Sequence, residues 1–228
     1  MKKQDIYIIL GAALLLSPFF IFDSVYTFYT DFNKEHGLIT AFIKFAVLAT
    51  FGEALGLRIR ERVYNRKGFG LLPRAIVWGF LGITIKLAFV IFASGTPTFL
   101  EYMGLENAGS ILKGDLTDYK VLVAFSISVA MNLIYAPVMM TLHKITDIHI
   151  INTGGKLSSL TKKIHFAEIF KNINWDVQWH FVFKKTIPFF WIPAHTITFL
   201  LPPDFQVLFA AILGIALGLI LAFASLKK

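Results

Sequence analysis

The stretch Val121–Leu142, VLVAFSISVAMNLIYAPVMMTL, carries no charged residue. It exceeds the roughly 20 apolar residues with which a helix crosses about 30 Å of hydrocarbon. Five further stretches meet or approach this standard: Ile6–Phe22, Leu38–Leu57, Ala75–Ala93, Val182–Leu201 and Phe205–Leu226. Together they predict one all-α transmembrane domain over residues 1–228, a polytopic bundle of six spans. Composition agrees, with 56% of the 228 residues apolar and only 16% charged, against about 25% charged in soluble domains. The first stretch follows Lys2 and Lys3 but ends LLLSPFFIF, with no small-x-small cleavage site, so an uncleaved first helix is expected.

Charge placement tests the six-span reading independently. If the N-terminus is cytoplasmic, the inner segments hold 17 of the 22 Lys and Arg, including the run RIRERVYNRK (58–67), while the outer loops hold three: Lys34, Lys113 and Lys120. Lys44 and Lys86 fall within spans. The inner face then carries +12 and the outer face −5, as the positive-inside rule requires for a plasma-membrane protein with both termini cytoplasmic. The net charge of +8 is thus a topology signal and an attraction for anionic inner-leaflet lipid, not a nucleic-acid surface. Cysteine is absent, which excludes disulfides, thiol nucleophiles and thiolate metal sites.

The long inner loop, 143–181, has its own pattern. Leu160, Ile164, Ala167 and Phe170 recur at helical spacing among Lys162, Lys163, Glu168 and Lys171. An amphipathic interfacial helix over about 158–173 is expected, with Trp175 and Trp179 as headgroup anchors. A soluble helix over the loops is the alternative.

Ionisable groups inside spans are costly and mark functional candidates. Lys86 lies near the midplane of the third span, and Glu53 about 6 Å from the inner end of the second. A Glu53–Lys86 pair is expected, with Asn132 of the fourth span at similar depth, either lining a polar path or specifying helix register. Lys44 lies within snorkelling range of the outer surface. In the fifth span, His195, Thr196 and Thr198 are candidates to partner the carbonyls that Pro188 and Pro193 leave free. In the sixth, Ala210, Gly214, Gly218 and Ala222 form a small-residue ladder for close packing, within the chain or in a homodimer. His143 and Asp147 stand four apart, but two ligands do not make a metal site. No cofactor is expected, and no H-E-x-x-H, G-x-S-x-G, Walker A or G-x-G-x-x-G pattern occurs, so an enzyme is not expected.

In WIPAHTITFLLPPDFQVLFAA, Trp191, Pro193, Phe199 and Pro203 follow one another before a final span. This region resembles the C-terminal signature of the Mpv-seventeen / peroxisomal-membrane-protein-twenty-two family, with His195 and Thr198 near its polar positions. Gly52-Glu53 and Ala136-Pro137 are similar to further steps of that pattern. The arginine expected after the second proline is absent, with Gln206 nearby. The first helix and long inner loop have no counterpart in smaller members. The resemblance implies a small helical membrane protein acting as a channel or in metabolite exchange. Without a transit peptide, a prokaryotic member is expected. The leading expectation is a channel or small-solute transporter with Glu53, Lys86 and Asn132 lining or gating the path, and acidic outer loops enriching cations. The rival is a structural or partner-binding membrane protein, and a lipid-modifying enzyme is a third option.

Overall fold

A computed structural model describes residues 3–225. It is helical, with no strand among the described residues, and five of its helices are long and apolar enough to cross a membrane. The chain forms two units, residues 1–40 and 41–228.

In the first unit, α1 (Lys3–Ile21) and α2 (Asp23–Glu35) meet at a bend after Ile21. Phe19 packs edge-on against Tyr29, with ring centroids 5.5 Å apart. The loop expected after the first span is therefore helical. The next helix, α3 (Gly37–Glu61), starts here and continues into the second unit.

In the second unit, α4 (Leu71–Tyr102) and α6 (Asp118–Asn152) have 32 and 35 residues, or about 48 and 52 Å. Both outrun the hydrocarbon layer. The short α5 (Ala108–Lys113) connects them. Thr117 caps α6 by accepting from the Lys120 N–H at 3.2 Å. Hydroxyls along the helices bond back to preceding carbonyls, as Ser126 does to Leu122 (2.8 Å) and Thr141 to Pro137 (2.7 Å). That self-satisfaction lets polar residues sit in an apolar span. Phe45, Ile85, Phe89, Ile127, Met131 and Phe199 form the core.

Close approach is set by glycine. A Cβ on Gly82 would lie 2.7 Å from the Ala41 carbonyl oxygen and from Phe45 Cβ, so α4 presses directly on α3. The last helix, α10 (Pro203–Ser225), reaches α3 in the same way. A Cβ on Gly52 would lie 3.0 Å from Ile215 Cα, and one on Gly218 would lie 3.3 Å from the Gly52 carbonyl oxygen. The ladder thus packs within the chain at Gly218, with Ala210 and Ala222 buried, whereas Gly214 has nothing within 4 Å of its would-be Cβ.

Two expected elements are built differently. The stretch assigned to the fifth span, Val182–Leu201, falls on two segments, a π-helical one (Gln178–Trp191) and α9 (Ile192–Leu200), preceded by the short α8 (Trp175–Val177). Pro188 has no N–H to give the α-helical ladder, and the wider turn carries the chain past it. Pro193 sits in the first turn of α9, where its missing N–H costs nothing. The Ile192 carbonyl accepts from Thr196 (2.8 Å) and from Ser128 of α6 (2.7 Å). His195 bonds Thr198 instead, at 3.3 Å.

The interfacial helix expected over 158–173 is a 3-10 turn (Leu157–Thr161), an extended link, and α7 (Phe166–Lys171). The cause is tertiary. The buried His149 side chain bonds the Ser159 carbonyl at 2.9 Å while that carbonyl also closes the 3-10 turn by accepting from the Lys162 N–H at 3.3 Å, which ties the turn to α6. Gly154 and Gly155 make the turn before it with φ of 89° and 67°, the left-handed region that glycine enters without strain.

These contacts rank the glycines. Gly82→Ala should lower stability by about 1–3 kcal/mol through overpacking, while Gly214→Ala should leave it unchanged or slightly raise it. Thermal unfolding in detergent measures both, and equal midpoints for the two variants would contradict the packing described.

Candidate functional site

A polar cluster is buried where α3, α4 and α6 meet. Glu53 comes from α3, Arg74 and Trp78 from α4, and His143 and Asp147 from α6. Arg74 is only 4% exposed. Because α4 begins at Leu71, Arg74 is a first-turn helical residue rather than the end of a loop. Its Nε donates to the Phe69 carbonyl at 2.7 Å, and the guanidinium lies over the Phe69 ring. Its Nη1 donates to Glu53 Oε2 at 2.6 Å and also to Asp147 Oδ1. The other Glu53 oxygen accepts from Trp78 Nε1 at 2.8 Å and meets His143 Nε2 at 3.1 Å. His143 packs at a tilt against Trp78, with centroids 4.3 Å apart, and its Nε2 lies 3.8 Å from Asp147. The i,i+4 spacing of His143 and Asp147 puts both on one face of α6.

The Glu53–Lys86 pair does not form. Glu53 is bonded to Arg74, Trp78 and His143 instead. Lys86 is half-buried and interacts electrostatically with Lys44, which is also near Asp204. Lys86 does not reach Glu53 because the α4 residues that do, Arg74 and Trp78, lie 12 and eight positions earlier, about 18 and 12 Å along the helix. Asn132 is buried but bonds within its own helix, donating to the Ser128 carbonyl at 2.9 Å.

A cavity of about 720 Å³ opens beside the cluster. Glu53, Arg74, His143 and Asp147 line one end, and Asn132 and His195 the other, with Met139, Phe181 and other apolar side chains between. Along α6 it extends from Met131 to Asp147, about 24 Å of helix. Of the expected residues it joins Glu53, Asn132, His195, Ala210, Gly214 and Gly218, whereas Lys86, Lys44, Thr198 and Ala222 are not on its wall.

With His143 neutral, two carboxylates and one guanidinium leave the cluster one negative charge in excess, which a proton or monovalent cation would balance. Possible ligand atoms of Glu53, His143 and Asp147 lie within 4.8 Å of one another, as around a metal ion. Arg74 already bridges the two carboxylates, so a divalent ion would have to displace a buried cation.

Sequence reasoning found Glu53 and the His143–Asp147 spacing but missed Arg74 and Trp78. The available signal was Pro73, a residue favoured in a first helical turn, which would have moved the helix start ahead of Arg74.

Arg74→Met should cost about 3–5 kcal/mol, because it leaves buried carboxylates facing each other. Lys86→Met should change stability little. Unfolding midpoints in detergent check the pair, and similar losses for both would sink the assignment of Arg74 as the keystone. In comparisons with known proteins, no family model, curated protein or solved structure matches this chain, so the reading of the site rests on its own geometry.

Proposed function

We propose that this protein is a six-span channel or small-solute transporter whose path runs through the cavity between α3, α4, α6, α10 and the π-helical segment. The observation that carries this reading is the cavity itself. It has the volume of a small-molecule site, reaches about 24 Å along a membrane-length helix, and has an ionic cluster at one end. In this reading the π-helical segment and α9 together make the fifth of six crossings, and both termini face the cytoplasm, where the basic residues concentrate. Glu53, Arg74, His143 and Asp147 then form the inner constriction. A proton on His143, whose Nε2 lies 3.1 Å from Glu53 and 3.8 Å from Asp147, balances the cluster, and its loss would leave room for a cation, while Asn132 and His195 offer hydrogen bonds deeper in. Lys86 is outside the path. The resemblance of the C-terminal region to a family linked to metabolite exchange points the same way.

Purified protein in liposomes provides the test, with rubidium efflux and glycerol-driven swelling as readouts. The wild-type chain should raise at least one permeability. Glu53→Gln and Asn132→Leu should each change it about tenfold, the effect of about 1.4 kcal/mol on the barrier. Lys86→Met should leave it unchanged. Vesicles as tight with the protein as without it would favour the structural, partner-binding reading.

A further inference from the structure

A second cavity, of about 390 Å³, lies at the C-terminal end of α6, remote in sequence from the inner cluster's α3 and α4 residues. Its wall carries Lys162, Lys163 and His165, the amides of Asn152 and Asn172, and one carboxylate, Glu168. The three basic residues belong to the extended link between the 3-10 turn and α7, and that link is held at both ends. On one side His149 of α6 bonds the Ser159 carbonyl at 2.9 Å. On the other, Ile169 and Ile173 pack against Ile145 of α6. The link therefore crosses the end of α6 as a tied strap that presents its cations to the cavity.

The final carbonyls of a helix repel anions. Here three of the last four are already used: His149 O accepts from Thr153, Ile151 O from Gly154 N–H, and Ile150 O from Gly155 N–H at 2.8 Å. Lys162, Lys163 and Glu168 form no ion pair among the described residues, so two ammonium groups face one carboxylate. Around this polar centre, Leu160, Ile164, Phe166 and Phe170 expose their apolar side chains.

Depth supplies the remaining constraint. Residues Ile148 to Thr153 lie about 9–16 Å beyond Leu142 along α6. The headgroup layer is about 5–8 Å thick on each side of the hydrocarbon. That level is beyond the headgroups, but Ile169 and Ile173 pack against Ile145, only about 4–5 Å beyond Leu142, so the strap runs back into the headgroup layer, with its cations toward phosphate and α7 on the acyl side.

We infer that this cavity is a binding site for a phosphate-bearing anionic group, and that its source is the headgroup of an anionic phospholipid. Lys162 and Lys163 supply the charge, and His165, Asn152 and Asn172 the hydrogen bonds. The exposed Ile164, Phe166 and Phe170 distinguish a lipid from free phosphate, because only a lipid brings chains for them to meet.

Isothermal titration of the full-length protein in a non-ionic detergent tests this, with dihexanoyl phosphatidic acid, dihexanoyl phosphatidylcholine and inorganic phosphate as probes. Phosphatidic acid should bind saturably, and Lys162→Gln/Lys163→Gln should weaken it roughly 30-fold, from two juxtamembrane cations. Lys162→Arg/Lys163→Arg should retain binding, which separates lost charge from lost folding. Lys67→Gln/Lys113→Gln removes the same charge elsewhere and should have no effect. Inorganic phosphate should compete weakly, and phosphatidylcholine should bind far less than phosphatidic acid. Unchanged affinity in the first variant, an equal loss in the charge-matched control, or equal binding of phosphatidylcholine would each overturn the site. Inorganic phosphate binding as tightly as the phospholipid would overturn the lipid source.

Discussion

The second unit depends on one buried cation. A guanidinium inside a membrane protein is stable only if every face is answered, since an unpaired charge in a low-dielectric interior costs several kcal/mol. Arg74 is answered by the Phe69 carbonyl and ring, by Glu53 and by Asp147. These partners lie before α4, on α3 and on α6, so meeting one side chain's needs fixes three helices at a common level. Apolar packing alone would allow those helices to slide, because lipid tails are as apolar as a leucine. The ionic contacts remove that freedom and leave a charged wall where the helices part to form the cavity.

How much of this was legible in the sequence depends on the quantity asked for. Depth within a span follows from counting residues, and Glu53 was placed near the inner end on that basis. Azimuth does not follow, because in lipid every face of a helix can be apolar and the periodicity that reveals an inward face in soluble proteins disappears. Relative level between spans is harder still: Lys86 was paired with Glu53, yet the partner proved to be Arg74, which stands just ahead of the expected third span and about 18 Å from Lys86 along α4. The positive-inside rule explains why an arginine follows the second span but does not reveal that the helix begins before it.

The long inner loop shows a different limit. Its helical spacing was real, and Phe166–Lys171 is helical, but a histidine from another element shares the Ser159 carbonyl and pins the 3-10 turn before it. Such a contact has no local signature. The π-helical segment is similarly silent. Two prolines announced an irregular ladder, but whether the chain kinks, breaks or widens is decided by what surrounds it, here Ser128 reaching the Ile192 carbonyl.

The glycine contact between α3 and α10 has a mechanical consequence. Neither Gly52 nor Gly218 has a rotamer to change, so the contact loses no side-chain entropy on forming and cannot relax by repacking. With Gly82 pressed on the Ala41 carbonyl, α3 is gripped on two sides by backbone, and α4, α3 and α10 form the stiff wall of the chamber. The opposite wall is the widened segment from Gln178 to Trp191, whose hydrogen-bond pattern has a narrower alternative. Any breathing of the chamber is therefore one-sided: the compliant wall moves, and the glycine-bonded wall serves as its anvil.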